Sequence, residues 1–160
     1  MDSIGKKHLI TEIGKERIRR AGQRIGKGDL GFRVLKLDSS NMKEVYYTPD
    51  EYAQQGFDLT GFMDNIKEDR TDEDLLFQVM LDLGVPLSAK ITREGDLLCV
   101  DGNYLIACFE RVDTALITDI AKRQPYYAVF RDSSFINDSA LVNFEQVFNT
   151  YSPKTIRRVL

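Results

Sequence analysis

Few residues of this chain belong to the types that do covalent chemistry, and their spacing limits what they can do. His8 is the single histidine in 160 residues, and Cys99 and Cys108 are the only cysteines. A nucleophilic couple would need His8 beside one of those thiols, or beside Ser133 or Ser134. Its place at the front of a basic amphipathic segment makes it a surface residue instead. No His/Cys pair has helical or knuckle spacing, so a metal site lacks ligands. Ser133-Ser134 follows Arg131-Asp132 at a predicted strand end, where hydroxyls cap the next helix; strand ends are also where α/β sheets hold ligands. Asp69, Asp72, Glu73 and Asp74 are the densest acids and open a helix, where negative charge suits the dipole. No nuclease-like acid-x-lysine arrangement follows Pro49-Asp50.

Two further patterns point toward ligands. Gly26-Lys27-Gly28-Asp29-Leu30-Gly31 spells G-x-G-x-x-G, but a dinucleotide loop follows a strand and opens a helix. Here a helix ends and a strand is expected to begin, so the glycines read as a helix stop and turn. The second pattern is basic. Lys15, Arg19, Arg20 and Arg24 lie on the polar side of one helix and are candidate contacts for DNA phosphates; the alternative is a solvated face with local ion pairs. Tyrosine pairs at 46–47 and 126–127 have the chemistry to stack on bases, and their strand context assigns them to core packing.

These residues are positioned by a readable series of elements. A helix is predicted over 8–25, with Ile10, Ile13, Ile18, Ala21 and Ile25 in one apolar stripe. Such a helix cannot bury its own stripe, so it must pack on the rest of the chain or on something outside it. A strand is expected at 32–37 and a short one at 45–47. Thr48-Pro49 starts a helical pattern broken at Gly56 and Gly61. A stronger helix runs from Thr71 to Leu83. Glu94-Gly95 and Asp101-Gly102 mark tight turns of a three-strand meander over 88–93, 96–100 and 103–109. If Asp101-Gly102 is a two-residue turn, Cys99 faces Tyr104 and Cys108 lies about four positions beyond, too far to bridge. A helix at 114–122, a strand at 126–130, a helix at 139–151 and a strand at 155–160 complete the chain. The fold class is mixed α/β: an antiparallel meander joined to βαβ units in one sheet with flanking helices, preceded by one amphipathic helix.

Composition and charge bound the function. The chain is 42% hydrophobic and 29% charged, ordinary globular usage. No apolar run reaches a membrane span, and the first residues lack a secretory core, so a cytoplasmic protein is expected. The net charge of −3 is uneven. Residues 1–27 hold eight basic and three acidic residues, a net of +5, which leaves −8 on residues 28–160. With a pI near 5.3, most of the surface repels phosphate, which excludes a general nucleic-acid binder.

One block carries more information than the chemistry. Glu12-Ile13-Gly14-Lys15-Glu16-Arg17-Ile18-Arg19-Arg20-Ala21-Gly22 resembles the helix that closes the catalytic domain of type III restriction–modification methyltransferases, the Mod subunits. GFRVLKLDSSN at 31–41, NIKEDRTDEDLLF at 65–77, AKRQPYYAVFRDSSF at 121–135 and the terminal KTIRRVL are similar to the same family. The resemblance runs from about residue 9 to 160. It implies a parent that transfers a methyl group from S-adenosylmethionine to adenine N6 in a specific DNA sequence. The family's Asp-Pro-Pro-Tyr and Phe-x-Gly-x-Gly motifs are missing here, and in the family both precede the ERIRR-like helix. No catalytic, cofactor or metal residue is therefore carried over, and this chain is expected to be no enzyme and to hold no cofactor of its own. Residues 1–27 are expected to be the tail of a missing catalytic domain, and 28–160 a C-terminal α/β assembly domain, with Met1 opening a truncated product. The partners implied are its own catalytic domain, a second Mod subunit, the Res subunit and, through the parent complex, DNA; no membrane is implied. The alternative is an accessory DNA-binding module that uses the basic helix face.

Overall fold

The computed structural model describes residues 9–26, 31–43, 65–136 and 138–160. His8, residues 27–30 of the glycine-rich turn, the expected strand at 45–47 with its tyrosines, and the helical pattern from 48 to 64 lie outside them. The chain divides into two compact units, Met1–Asp38 and Ser39–Leu160; the expected change of part was at 27/28.

In the first unit, helix α1 spans Ile10–Ile25 and ends at Gly26, whose φ of +63° is the left-handed conformation that glycine adopts at no steric cost. The Gly26 N–H donates to the Gly22 carbonyl at 3.0 Å, which closes the last turn. The predicted stripe is present but uncovered. No described residue of this unit is buried, and Ile10 and Ile18 are 85% and 51% exposed. The half-covered side chains of α1 are Glu12, Lys15 and Glu16, on its polar side. The strand expected at 32–37 does not form: these residues belong to no strand of the sheet, and Leu37 is 97% exposed. Alternating apolar residues make a strand only where a neighbouring strand and a covering layer exist. Phe32 is half-buried instead, with the Arg19 guanidinium 5.7 Å above its ring.

The second unit is built on a five-stranded mixed sheet in the order β1-β2-β3-β4-β5: Ile91–Glu94, Leu97–Val100, Leu105–Cys108, Tyr127–Phe130 and Ile156–Val159. The first three strands are antiparallel; β4 and β5 join in parallel. Helix α2 (Asp72–Asp82) precedes the sheet, α3 (Thr114–Lys122) links β3 to β4, and α4 (Asp138–Tyr151) links β4 to β5. Both crossover helices lie on one face, as crossovers of one hand stepping the same way require.

The strand period of two divides the core cleanly. Leu98, Val100, Leu105, Ala107 and Val129 meet Leu75, Leu76, Val79 and Met80 of α2. Their neighbours Leu97, Cys99, Ile106, Cys108, Ala128 and Phe130 meet α3 and α4 through Ile117, Ile120, Ala121, Phe144 and Phe148. Every residue of β2 and β3 is buried, which explains their unbroken apolar runs.

The turns differ in length. Gly95-Asp96 joins β1 to β2 as a two-residue connection, with Gly95 at φ +62°. Residues 101–104 form a four-residue connection, because Val100 pairs with Leu105. The Asp101 N–H donates to the Lys90 carbonyl at 2.8 Å, and its carboxylate accepts the Lys90 N–H at 2.9 Å, so Asp101 continues the ladder before the chain turns. The two-residue turn expected there is thereby corrected, and with it the cysteine spacing. Cys99 pairs with Ile106 and Cys108 with Leu97, so the thiols sit two positions apart on one face; both are buried and free. Among the described residues, no helix is long and apolar enough to cross a membrane.

Candidate functional site

The four basic candidates all stand on α1, where a 3.6-residue turn sets their grouping. Lys15 and Arg19 share one row, Arg20 and Arg24 another, and the acidic row of Glu12 and Glu16 runs between them. The rows are tied together. Lys15 Nζ lies 2.6 Å from Glu12 Oε1, Arg20 Nε 2.9 Å from Glu16 Oε1, and Arg19 Nη1 3.8 Å from Glu16 Oε2. Such surface pairs contribute only ~0.3–0.5 kcal/mol each, so they orient the cations without occupying them. Arg17 and Arg24 are exposed and make no ion pair with a described residue. The helix thus presents Lys15 and Arg19 on the side away from the uncovered isoleucines, with Arg17 and Arg24 beside Ile10 and Ile13.

The remaining candidates resolve into structural roles. Ser133 and Ser134 fall in a 3-10 turn, Asp132–Ser134, and the buried Ser134 hydroxyl donates to the Arg131 carbonyl. The acidic run forms a capping box: the Thr71 N–H donates to Asp74 Oδ2 at 2.9 Å, and the Asp74 N–H donates to Thr71 Oγ1 at 3.3 Å. The Thr71 backbone and hydroxyl bonds hold the Asp74 carboxyl below its ordinary value of 3.8. Asp72 pairs with Arg93 of β1 at 3.0 Å. Among the described residues, no group of three or more His, Cys, Asp or Glu is placed to hold a metal. Burial pushes the Cys108 thiol up to about 11 and raises Cys99 as well, so neither is a ready nucleophile at neutral pH.

Tyr126 departs from its expected place in the core. It is 51% exposed and stacks on Tyr104, with ring centroids 5.4 Å apart and planes 3° from parallel, while Tyr127 meets both edge-on. The pairing of Tyr104 with Tyr126 depends on the β3–β4 register, which local sequence does not carry. Beside the stack is a cleft of about 430 Å³, lined by Pro125, Tyr126, Ser152, Pro153 and Lys154 among others. It sits at the starts of β4 and β5, the end of the sheet opposite to the usual ligand crevice. Its hydroxyls are mutually satisfied: Ser152 Oγ lies 2.6 Å from Thr155 Oγ1, which donates to the Pro125 carbonyl. These two hydroxyls are therefore engaged in structural bonds. The least covered part of the chain is the first unit, in which no described residue is buried. No family model, curated protein or solved structure matches the chain.

Proposed function

We propose that this chain is the C-terminal portion of a type III restriction–modification DNA methyltransferase, and that it serves assembly rather than catalysis. Its parent would carry out S-adenosylmethionine-dependent, sequence-specific methylation of adenine N6 in the cytoplasm. The chain itself would brace the catalytic domain and connect it to a second Mod subunit and to the Res subunit. The observation that carries this reading is the contrast between a second unit with a closed core and a first unit with no buried residue among those described. A helix with uncovered isoleucines, in a chain whose described core lies in another unit, is the expected appearance of a segment that belongs to another domain. The family-like blocks on both units support the same reading.

The test supplies the 160-residue chain to a type III methyltransferase catalytic domain that lacks its own C-terminal region. Co-elution on a sizing column and restored adenine methylation are expected. An isolated chain that binds S-adenosylmethionine or methylates DNA would overturn the reading.

A second reading, an accessory DNA-binding module, is favoured by the exposed Arg17 and Arg24, which make no ion pair with a described residue. It requires binding of duplex DNA that weakens steeply with salt and is lost in the double variant Arg19→Glu, Arg20→Glu. Salt-independent binding, or none, removes it.

A further inference from the structure

The segments that follow α3 and α4 form the two walls of the cleft at the starts of β4 and β5, and Tyr126 stands on one of them. One face of its ring is taken by Tyr104, and Tyr127 packs against it edge-on with centroids 4.7 Å apart. The residue is still half exposed and still lines the cleft, so the surface it offers there is aromatic and uncovered. The frame around it is set by the chain itself. Gln124 takes the left-handed conformation, φ +51°, a region that residues with a side chain seldom occupy. Its Nε2 donates to the Tyr151 carbonyl at 3.1 Å and ties the end of α3 to the end of α4. Pro125 and Pro153 fix the backbone of each wall, and the bonds from Ser152 through Thr155 to Pro125 join the two.

The groups on these walls select the ligand. A peptide main chain finds little to pair with: the Tyr126 carbonyl accepts the Ile156 N–H at 2.9 Å, and the Thr155 N–H donates to the Ser152 carbonyl at 3.1 Å. The Pro125 carbonyl accepts the Thr155 hydroxyl, and neither proline has an N–H to offer. A flat ring needs no such pairing, because stacking asks only for an open π-face. Charge narrows the choice further. Arg123 spends its guanidinium on Glu94 and Asp119, at 2.7 and 3.0 Å. Lys154 on the cleft wall and Lys122, 5.5 Å above the Tyr151 ring, make no ion pair with a described residue. Cations beside an open aromatic surface suit a base that carries a phosphate. The carbonyl ends of α3 and α4 repel an anion, so the phosphate must lie over Lys154. The volume, about 430 Å³, falls within the ~300–1,000 Å³ of small-ligand sites.

We propose that this cleft is a nucleotide-binding site, in which a base stacks on Tyr126 and its phosphate is held by Lys154. The site stands on the Ser39–Leu160 unit alone and uses none of the basic residues of α1, so it is independent of the methyltransferase reading, and its failure leaves that reading untouched. The chemistry recognised is the same in a free nucleoside monophosphate and in an unpaired nucleotide of a single strand.

The test follows the tyrosine ring resonances of the 160-residue chain by NMR while AMP, adenosine and a single-stranded hexadeoxyadenylate are added in separate titrations. AMP should shift the Tyr104 and Tyr126 signals, and adenosine should bind about threefold more weakly for want of the phosphate. Tyr126→Ala should weaken AMP binding at least about fivefold, whereas Tyr126→Phe keeps the π-face and should stay within about twofold. Lys154→Gln should cost AMP about threefold and leave adenosine unchanged; this exposed side chain keeps the test decisive if Tyr126→Ala does not fold. A hexamer that binds at least about tenfold tighter than AMP identifies a single strand as the source, and equal affinity identifies a free nucleotide; either upholds the site. AMP that shifts no tyrosine at several millimolar, or that binds Tyr126→Ala as well as the unaltered chain, overturns it. Binding that disappears in the double variant Arg19→Glu, Arg20→Glu places the nucleotide on α1 and overturns it as well.

Discussion

The two units of this chain use the same amino acids to opposite ends. Phe130, Phe144 and Phe148 of the second unit pack edge to face, with centroids 5.1–6.2 Å apart and nothing left to solvent at Phe130 or Phe148. Ile10, Ile18 and Ile25 of the first unit keep the same apolar character and have no such cover. A helix of 16 residues is marginal in water without tertiary support. The comparison shows that apolar periodicity states a need for burial and does not say where the burial occurs. In the second unit the need is met within the chain, by helices on both faces of one sheet. Among the described residues of the first it is not met.

Substitutions sharpen the contrast, and the largest effect belongs to the closed core. Phe130→Ala removes a ring in contact with Phe135, Phe144 and Phe148; urea unfolding should show a loss of ~3–5 kcal/mol. Next comes thiol chemistry. With the thiol pushed up to about 11 by burial, opposed by a backbone hydrogen bond with Glu110 and reinforced by the Asp96 and Glu110 carboxylates, Cys108 should alkylate at least about 100-fold more slowly than a free cysteine at pH 8. Unfolding in urea should restore its reactivity, and fast labelling of the native chain would contradict the closed core.

Thr71→Ala opens the capping box of α2 and should cost about 1 kcal/mol. Its pH dependence has a definite sign. The folded Asp74 carboxyl is held below its ordinary 3.8, so the stability it contributes is present above that value and is lost as pH falls through the lower, folded value. Denaturation curves between pH 5 and pH 2 should show a smaller acid loss in the variant. The smallest effect should come from Ile18→Ala on α1: less than about 0.5 kcal/mol on unfolding, but, under the proposed function, a measurable loss of affinity for the catalytic domain. A core-sized loss of stability at Ile18 would break the distinction between the units.

The legible part of the fold was local. Asp and Glu before an apolar period marked α2, glycine turns marked the meander, and the alternation of strands and helices after Phe109 implied a parallel extension of the sheet. The illegible part depended on partners. The turn at residues 101–104 is longer than Asp101-Gly102 suggests because Asp101 prolongs the ladder through Lys90 before the chain reverses. The strand expected at 32–37 needs a neighbour that the described sheet does not provide. Tyr126 sits beside Tyr127 in an apolar run, yet it lies on the last position before β4 and turns out onto Tyr104. Of the candidate site, the basic rows of α1 could be read from spacing. The local ion pairs weighed for that face are present as Glu12–Lys15, Glu16–Arg20 and Glu16–Arg19. The open stripe of isoleucines could not be read, because exposure is a property of what surrounds a helix.

Among the described residues the buried core lies within Ser39–Leu160, and no described residue of Met1–Asp38 is buried. The most direct test is urea unfolding of the 160-residue chain against a version that begins at Ser39. The unfolding free energies should be equal within about 0.5 kcal/mol, with the same dependence on urea, since that dependence follows the surface exposed on unfolding. A loss of more than about 2 kcal/mol, or a clearly shallower dependence in the shorter chain, would show that the first unit contributes buried surface to this fold and that the core is not confined to the second.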